Sequence, residues 1–308
     1  MLIKKLSLGL ALLASINIVS SCTGCGSNNA SQDDMVIPDS IANAPLQLSE
    51  NVVNDMIQNI SSPVEMANSI KNTGVTFSES VLNPSDNMKN YNSSFKRALN
   101  LGAYSADLGY INTFNKSSVV VQYLLAVKEL ADGINVGQFL DFNTLKRLAT
   151  NSTNLDSLKQ LSCTSFNNMD KYLREQRRAN VSSAIIAGAW VEGIYLTGKV
   201  VEQTHDEDLT NRLAEQKEIV NILLIVLKNF SKADKNFENL SAKIEAIKAA
   251  YDNVRITYEF REPITKEVDG MLVIDQNEVP HVEYTPDQET VINDIIAKIN
   301  ESRQFIVE

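Results

Sequence analysis

An all-α fold, a multi-helix antiparallel bundle carrying a small C-terminal β element before a final helix, follows from three features of this sequence. From Leu46 to about Val254, apolar residues recur three and four positions apart, which places them on one stripe of successive helices. The polar breaks between those stripes are short, and short connections make consecutive helices antiparallel neighbours. Beyond Val254 the apolar period falls to two, as in a strand, and it returns to the helical spacing after Pro286.

Each element has its own start and stop chemistry. Ser62-Pro63-Val64-Glu65 combines an N-cap serine, a proline at the first helical position and a reciprocal glutamate, and Gly74 can close that helix. After the Asn83-Pro84-Ser85 break, Tyr91, Phe95, Leu99, Gly102, Ala106 and Tyr110 form one stripe. Ser117 or Ser118 opens the next helix, which carries Val120, Tyr123, Leu124, Val127, Leu130 and Ala131 and stops at Gly133. Leu155, Leu158, Leu161, Met169, Tyr172 and Leu173 continue the spacing, followed by Val181, Ile185, Gly188, Glu192, Tyr195 and Leu196. Leu209, Leu213, Val220, Leu223, Leu227 and Phe230 mark another helix, and Phe237, Leu240, Ile244, Ile247 and Tyr251 one more. The β element is expected at about residues 255–284, where Ile256, Tyr258 and Phe260 alternate with polar neighbours, Met271 to Ile274 is apolar, and Val282 and Tyr284 flank Glu283. Thr285-Pro286-Asp287-Gln288 then starts a helix over about 286–304, with Val291, Ile292, Ile295, Ile296 and Ile299 facing inward.

Two of these helices look alike. Leu101 to Tyr110 and Ile186 to Tyr195 each carry small residues, an aromatic, an acid and a tyrosine. An offset of 85 pairs Asp107 with Glu192, and one of 86 pairs Gly102 with Gly188, so a candidate internal duplication has two competing registers. The phrases Ala98-Leu99-Asn100-Leu101-Gly102 and Trp190-Val191-Glu192-Gly193 resemble a group of helical Bacteroidota lipoproteins of unknown function. That resemblance spans most of the domain and implies no activity and no site residues.

The N-terminus has a separate logic. Lys4 and Lys5 precede an apolar run from Leu6 to Val19, and Val19-Ser20-Ser21-Cys22 matches the bacterial lipobox. The run is shorter than the ~20 residues a membrane span needs. Residues 1–21 are therefore expected to be a signal peptide, with Cys22 the lipidated residue and acyl chains holding the mature chain at a membrane. Residues 22–45, rich in Gly, Ser, Asn, Asp and Pro, read as a flexible tether, and 46–308 as one helical domain. Asp39-Ser40-Ile41 resembles the site at which Bacteroidota O-glycosylate exported proteins, which makes Ser40 a candidate. Surface lipoproteins of that phylum carry acids next to the lipidated cysteine, whereas the first acids here are Asp33 and Asp34. That spacing favours the periplasmic face of the outer membrane over the cell surface.

Charge and residue inventory narrow the function. The 28 basic residues, less Lys4 and Lys5, stand against 38 acidic ones, so the mature chain carries a formal charge of −12. Nucleic acid, which requires a basic stripe, is excluded as a partner. Cys22 is consumed by lipid and Cys25 lies in the tether; Cys163 reads as a small buried hydrophobe, so no structural disulfide is expected. His205 and His281 are the only histidines, and no metal or other cofactor is expected. His205-Asp206-Glu207-Asp208 reads as an interhelical turn with acids at a helix start, where they favour the dipole. Lys171, Arg174, Arg177 and Arg178 could bind an anion, but Asp170 and Glu175 stand close enough to pair with them.

These readings converge on a lipid-anchored binding or adaptor module of the cell envelope whose partner is an envelope protein or a small ligand. The alternative is a glycan-directed hydrolase. Asp107 and Glu192 on facing helices would then supply the two carboxylates that glycoside hydrolysis uses. The competing reading makes each of them a buried acid satisfied by a tyrosine or an arginine. An open cleft at the pair would favour the enzyme, and closure by packed side chains would favour the adaptor.

Overall fold

The computed structural model describes residues 69–71, 73–149, 155–268 and 271–308, all within the second of the two units into which the chain divides, Leu46–Glu308. Cys22, Ser40, the signal peptide, the tether and the helix start at Ser62 lie outside the described residues, as does the side chain of Cys163.

Capping chemistry sets most of the element ends. Gly74, at φ 75°, closes the first helical turn through its N–H to Lys71 O, a conformation that costs a glycine nothing. Two 3₁₀ turns, Glu79–Val81 and Ser85–Asn90, lead to α1, Ser94–Thr113, whose N-cap Ser93 accepts from the Lys96 N–H. α2 (Ser117–Gly133) ends at the expected glycine, and a short helix the apolar pattern does not announce follows as α3, Phe142–Ala149. α4 is Leu155–Glu175 and α5 is Ala179–Thr204. His205, in the left-handed region at φ 51°, ends α5; Asp206 then caps α6 (Glu207–Ser231) by accepting from Leu209 N at 2.8 Å. Asp234 caps α7, Lys235–Tyr251, in the same way. β1 (Val254–Val268) and β2 (Met271–Tyr284) pair antiparallel from Val254↔Tyr284 to Val268↔Met271, with one irregularity between Arg261 and Ile264. The last helix, α8, is Gln288–Val307. Its cap is Asp287 instead of Thr285, because the Asp287 carboxylate accepts from both the backbone and the hydroxyl of Thr290 at 2.9 Å.

The fold is all-α with this one two-stranded ribbon. Consecutive helices are antiparallel, as contacts of opposite sequence direction show. Arg97 reaches Gly133 O while Tyr104 meets Tyr123 between α1 and α2. Lys228 pairs with Glu245 and Tyr251 donates to Leu213 O between α6 and α7.

The centre of the molecule is a pair that is not consecutive. A Cβ on Gly102 of α1 would lie 1.9 Å from Ile185 O of α5, and one on Gly188 of α5 would lie 1.9 Å from Leu99 O of α1. The backbones touch because both residues lack a side chain. The contact is reciprocal, since each glycine meets the carbonyl three residues before the other. Asp107 follows Gly102 by five positions and Glu192 follows Gly188 by four, and their carboxyls meet, so α1 and α5 run in the same direction. Of the two candidate registers, the backbone crossing obeys the offset of 86. Tyr104 and Trp190, each two residues past its glycine, keep that relation. Tyr104 packs on Tyr123 of α2 and Trp190 donates to Gln216 of α6, each turned toward the helix that follows its own.

α5 is long and apolar enough to cross a membrane by composition, at a mean hydropathy of 1.3, but 78% of that window is buried within the domain. It is apolar on all sides because helices surround it. α8 runs antiparallel to α5, with Arg303 beside Glu192 and Ile296 beside Gly198.

Candidate functional site

Asp107 and Glu192 are brought together by the close α1–α5 approach, and the site is built from what surrounds them. Both are shut off from solvent, at 0% and 1% exposure. Burial of two carboxyls is costly unless charge is balanced, and here a single guanidinium does so. Arg303 of α8 donates from Nε to Glu192 Oε2 at 3.1 Å and from a terminal nitrogen to Oε1 at 3.3 Å, a bidentate pair. Its guanidinium lies 4.6 Å from the Tyr195 ring centre, and only 13% of its side chain is exposed.

Asp107 is held differently. Asn83 N donates to its Oδ2 at 3.2 Å, while Oδ1 receives no N–H or O–H from any neighbour. The Glu192 carboxylate is within hydrogen-bonding reach of Asp107, and that contact is favourable only when Asp107 carries the proton and donates it. Burial, reinforced by the Glu192 charge and opposed by Arg303, holds the Asp107 carboxyl well above its ordinary value. Burial raises Glu192 as well, against the opposing pull of Arg303. One proton on Asp107, an ionised Glu192 and Arg303 form a neutral cluster.

Around this cluster lies a shell of buried amides and phenols. Asn83 Nδ2 donates to Tyr91 OH at 3.0 Å and to Asn100 Oδ1 at 3.2 Å, and Tyr104 OH donates to Pro84 O at 2.8 Å. The same shell satisfies the last carbonyls of α8, which have no partner within the helix. Asn100 Nδ2 donates to Ile306 O at 2.8 Å, Tyr91 OH to Val307 O at 3.1 Å, and Lys96 Nζ to Glu308 O at 3.1 Å. Burial raises the phenols of Tyr91, Tyr104 and Tyr123, so they stay protonated.

This geometry does not suit glycoside hydrolysis. The carboxyl pairs of retaining and inverting enzymes stand roughly 5 Å or more apart, with the scissile bond between them. Here both are closed off beneath packed side chains, with no opening for a substrate between them. Dyads that share one proton do serve catalysis when they line a cleft, but Glu192 is already neutralised by Arg303 and neither carboxyl reaches water.

The other candidates are placed as solvated or structural groups. His205 and Asp206 form the α5–α6 turn, with Glu207 and Asp208 in the first turn of α6. Arg174 pairs with Asp170, Lys171 stands 4.0 Å from Glu175, and Arg178 donates to Ile134 O at 2.9 Å. His281, on the exposed ribbon, lies 3.2 Å from Glu259. Among the described residues no group of His, Cys, Asp and Glu could hold a metal ion. No family, curated protein or solved structure matches the chain.

Reasoning from sequence passed over Arg303, Asn83 and Asn100. Arg303 left a signal: it follows Ile299 by one helical turn, a lone charge on an apolar stripe that resumes at Ile306. Asn83 reads as a turn residue before Pro84, and only the tertiary structure brings it to Asp107.

Proposed function

We propose that this chain is a lipid-anchored adaptor of the cell envelope, attached through Cys22 at the periplasmic face of the outer membrane and binding a partner through its β ribbon. The lipobox and the tether support the anchor. The ribbon carries the binding reading. Val254, Ile256, Val282 and Tyr284 pack its base on the helices. From Thr257 outward the described side chains of β1 are exposed, and the eleven further steps to Val268 extend about 35 Å at the usual rise per residue. Phe260, opposite Glu278, is 73% exposed, while Tyr258 on the same face, opposite Pro280, donates from its hydroxyl to Glu218 of α6 at 2.8 Å.

The edges of the ribbon are blunted against adding another strand. Pro263 on β1 and Pro280 on β2 each remove a donor, and the irregularity after Arg261 breaks the ladder. Docking is therefore by the face bearing Phe260, and the partner is an envelope protein that offers an apolar surface. A photo-crosslinking residue at position 260, in native membranes, is expected to give one discrete adduct. Adducts from an exposed control position such as Leu125, with none from 260, would refute the assignment. The carboxyl pair has no catalytic part in this reading.

A further inference from the structure

We propose that the Asp107–Glu192–Arg303 cluster is a proton-operated latch on the C-terminal half of α8, closed while one proton resides between the two carboxyls and released when that proton is lost. The inference is independent of the proposed function. It rests on a count of charges in a closed space: two carboxyls at 0% and 1% exposure face one guanidinium, so the site is neutral with one proton and carries an uncompensated negative charge without it.

The latch joins three elements. Asp107 belongs to α1, Glu192 to α5 and Arg303 to α8. Nearer the ribbon, α8 is held by apolar packing of Ile292, Ile295, Ile296 and Ile299, which has no pH dependence of its own. Nearer its end, Ile306 is buried with Phe305 and Val307 packed beside it, and polar holds are added: Arg303 on Glu192, and Asn100 and Tyr91 on the last carbonyls. Those holds share residues with the shell of Asp107, because Asn83 donates its backbone N–H to Asp107 and its side chain to both Asn100 and Tyr91. A charge appearing on Asp107 is therefore felt by Arg303 and by the Asn100 and Tyr91 holds on that half of the helix.

The other groups facing Asp107 do not supply a compensating charge. They are Tyr104 on α1, Tyr123 on α2 and Tyr195 on α5, all pushed up by burial, with Glu79 adding a further negative field at Tyr123. Among the described residues Arg303 is the single cation acting on Asp107, and Glu192 already engages it.

The sign follows from linkage. With α8 open, Asp107 meets water and ionises near its ordinary value of 3.8, whereas in the closed site burial favours its neutral form. Opening therefore releases a proton, and the closed state is progressively lost as pH rises from about 4 toward the closed-state value. Site-resolved hydrogen exchange of the full chain tests this, each rate being corrected for the intrinsic base-catalysed rate. Protection of the Ser302–Ile306 amides is expected to fall by up to tenfold per pH unit between pH 5 and pH 8, with a shallower change at Val220–Leu227 of α6. Asp107→Asn keeps a donor toward Glu192 and an acceptor for Asn83 N but cannot ionise, so its α8 protection should be flat with pH and exceed that of the wild type at pH 8. Arg303→Met leaves two carboxyls that must both be neutral, which steepens the fall toward a hundredfold per unit. Flat wild-type protection at α8, or an identical slope at α6 and α8 showing that the proton acts only through whole-domain unfolding, would overturn the latch.

Discussion

Gly102→Ala and Gly188→Ala test the central feature of the fold. Each would place a methyl carbon 1.9 Å from a backbone carbonyl oxygen of the facing helix, where ordinary contact is 3.4 Å or more. Neither carbonyl can rotate away, because both lie within helices, so α1 and α5 must separate locally by about 1.5 Å. A gap of 0.5–1 Å already forfeits a quarter to a half of each dispersion contact. Leu99, Ala103 and Ala187 are fully buried and Ile185 largely so near this crossing, and they lose contacts together. Overpacking of this severity costs roughly 4 kcal/mol, and the better helix propensity of alanine returns about 1 kcal/mol. The net loss of about 3 kcal/mol should lower the melting temperature by roughly 6–12 °C for a domain of this size. Gly198→Ala serves as the control: its methyl would meet only the Ile296 side chain, at 3.2 Å, so the propensity gain should leave stability unchanged or slightly raised. Because the first alanine already parts the helices, the double variant should cost less than the sum of the two single ones. Thermal and urea unfolding followed by circular dichroism measure all four proteins. Equal melting temperatures for Gly102→Ala, Gly188→Ala and Gly198→Ala would refute the backbone contact.

Glu192→Gln leaves Arg303 without its bidentate partner and should cost about 3 kcal/mol, the low end for breaking a buried pair, because the guanidinium retains Tyr195 and some access to water; urea midpoints at pH 7 check it. For Asp107 the folded value is raised, so its contribution to stability is complete below pH 3.8 and is lost as pH rises toward the folded value, by up to about 1.4 kcal/mol per unit. Asp107→Asn should remove that slope and be more stable than the wild type at pH 8, as seen by melting temperatures across a pH series. At the anchor, Cys22→Ala should abolish incorporation of a labelled fatty acid while Cys25→Ala retains it, and label persisting on the Cys22 variant would sink the lipobox assignment.

Much of this fold was legible in the sequence because burial and capping are local rules. Apolar residues at helical spacing must face a core, and that requirement marks α1, α2 and α4 to α8. The period of two around Ile256 and Val282 marks the ribbon, and Asp206 with His205 marks a turn. The short α3 has no stripe long enough to announce itself. The carboxyl pair was legible as a pair, since an acid on an otherwise small and apolar helix face is conspicuous at both Asp107 and Glu192. Its role was not, because that depends on distances across the chain. Two acids at matching places in two helices describe a catalytic cleft and a buried neutral cluster equally well. Arg303, 111 residues after Glu192, and Asn83, 24 residues before Asp107, complete the buried cluster, and neither is near its acid in sequence. The sequence likewise left open whether α1 and α5 face each other with an offset of 85 or 86, and the glycine crossing follows 86. Helix identity is a property of neighbouring residues and can be read from them. Which helices touch, in which direction, and which charge finds its counter-charge are properties of contacts between residues far apart in sequence, and only the folded chain brings those together.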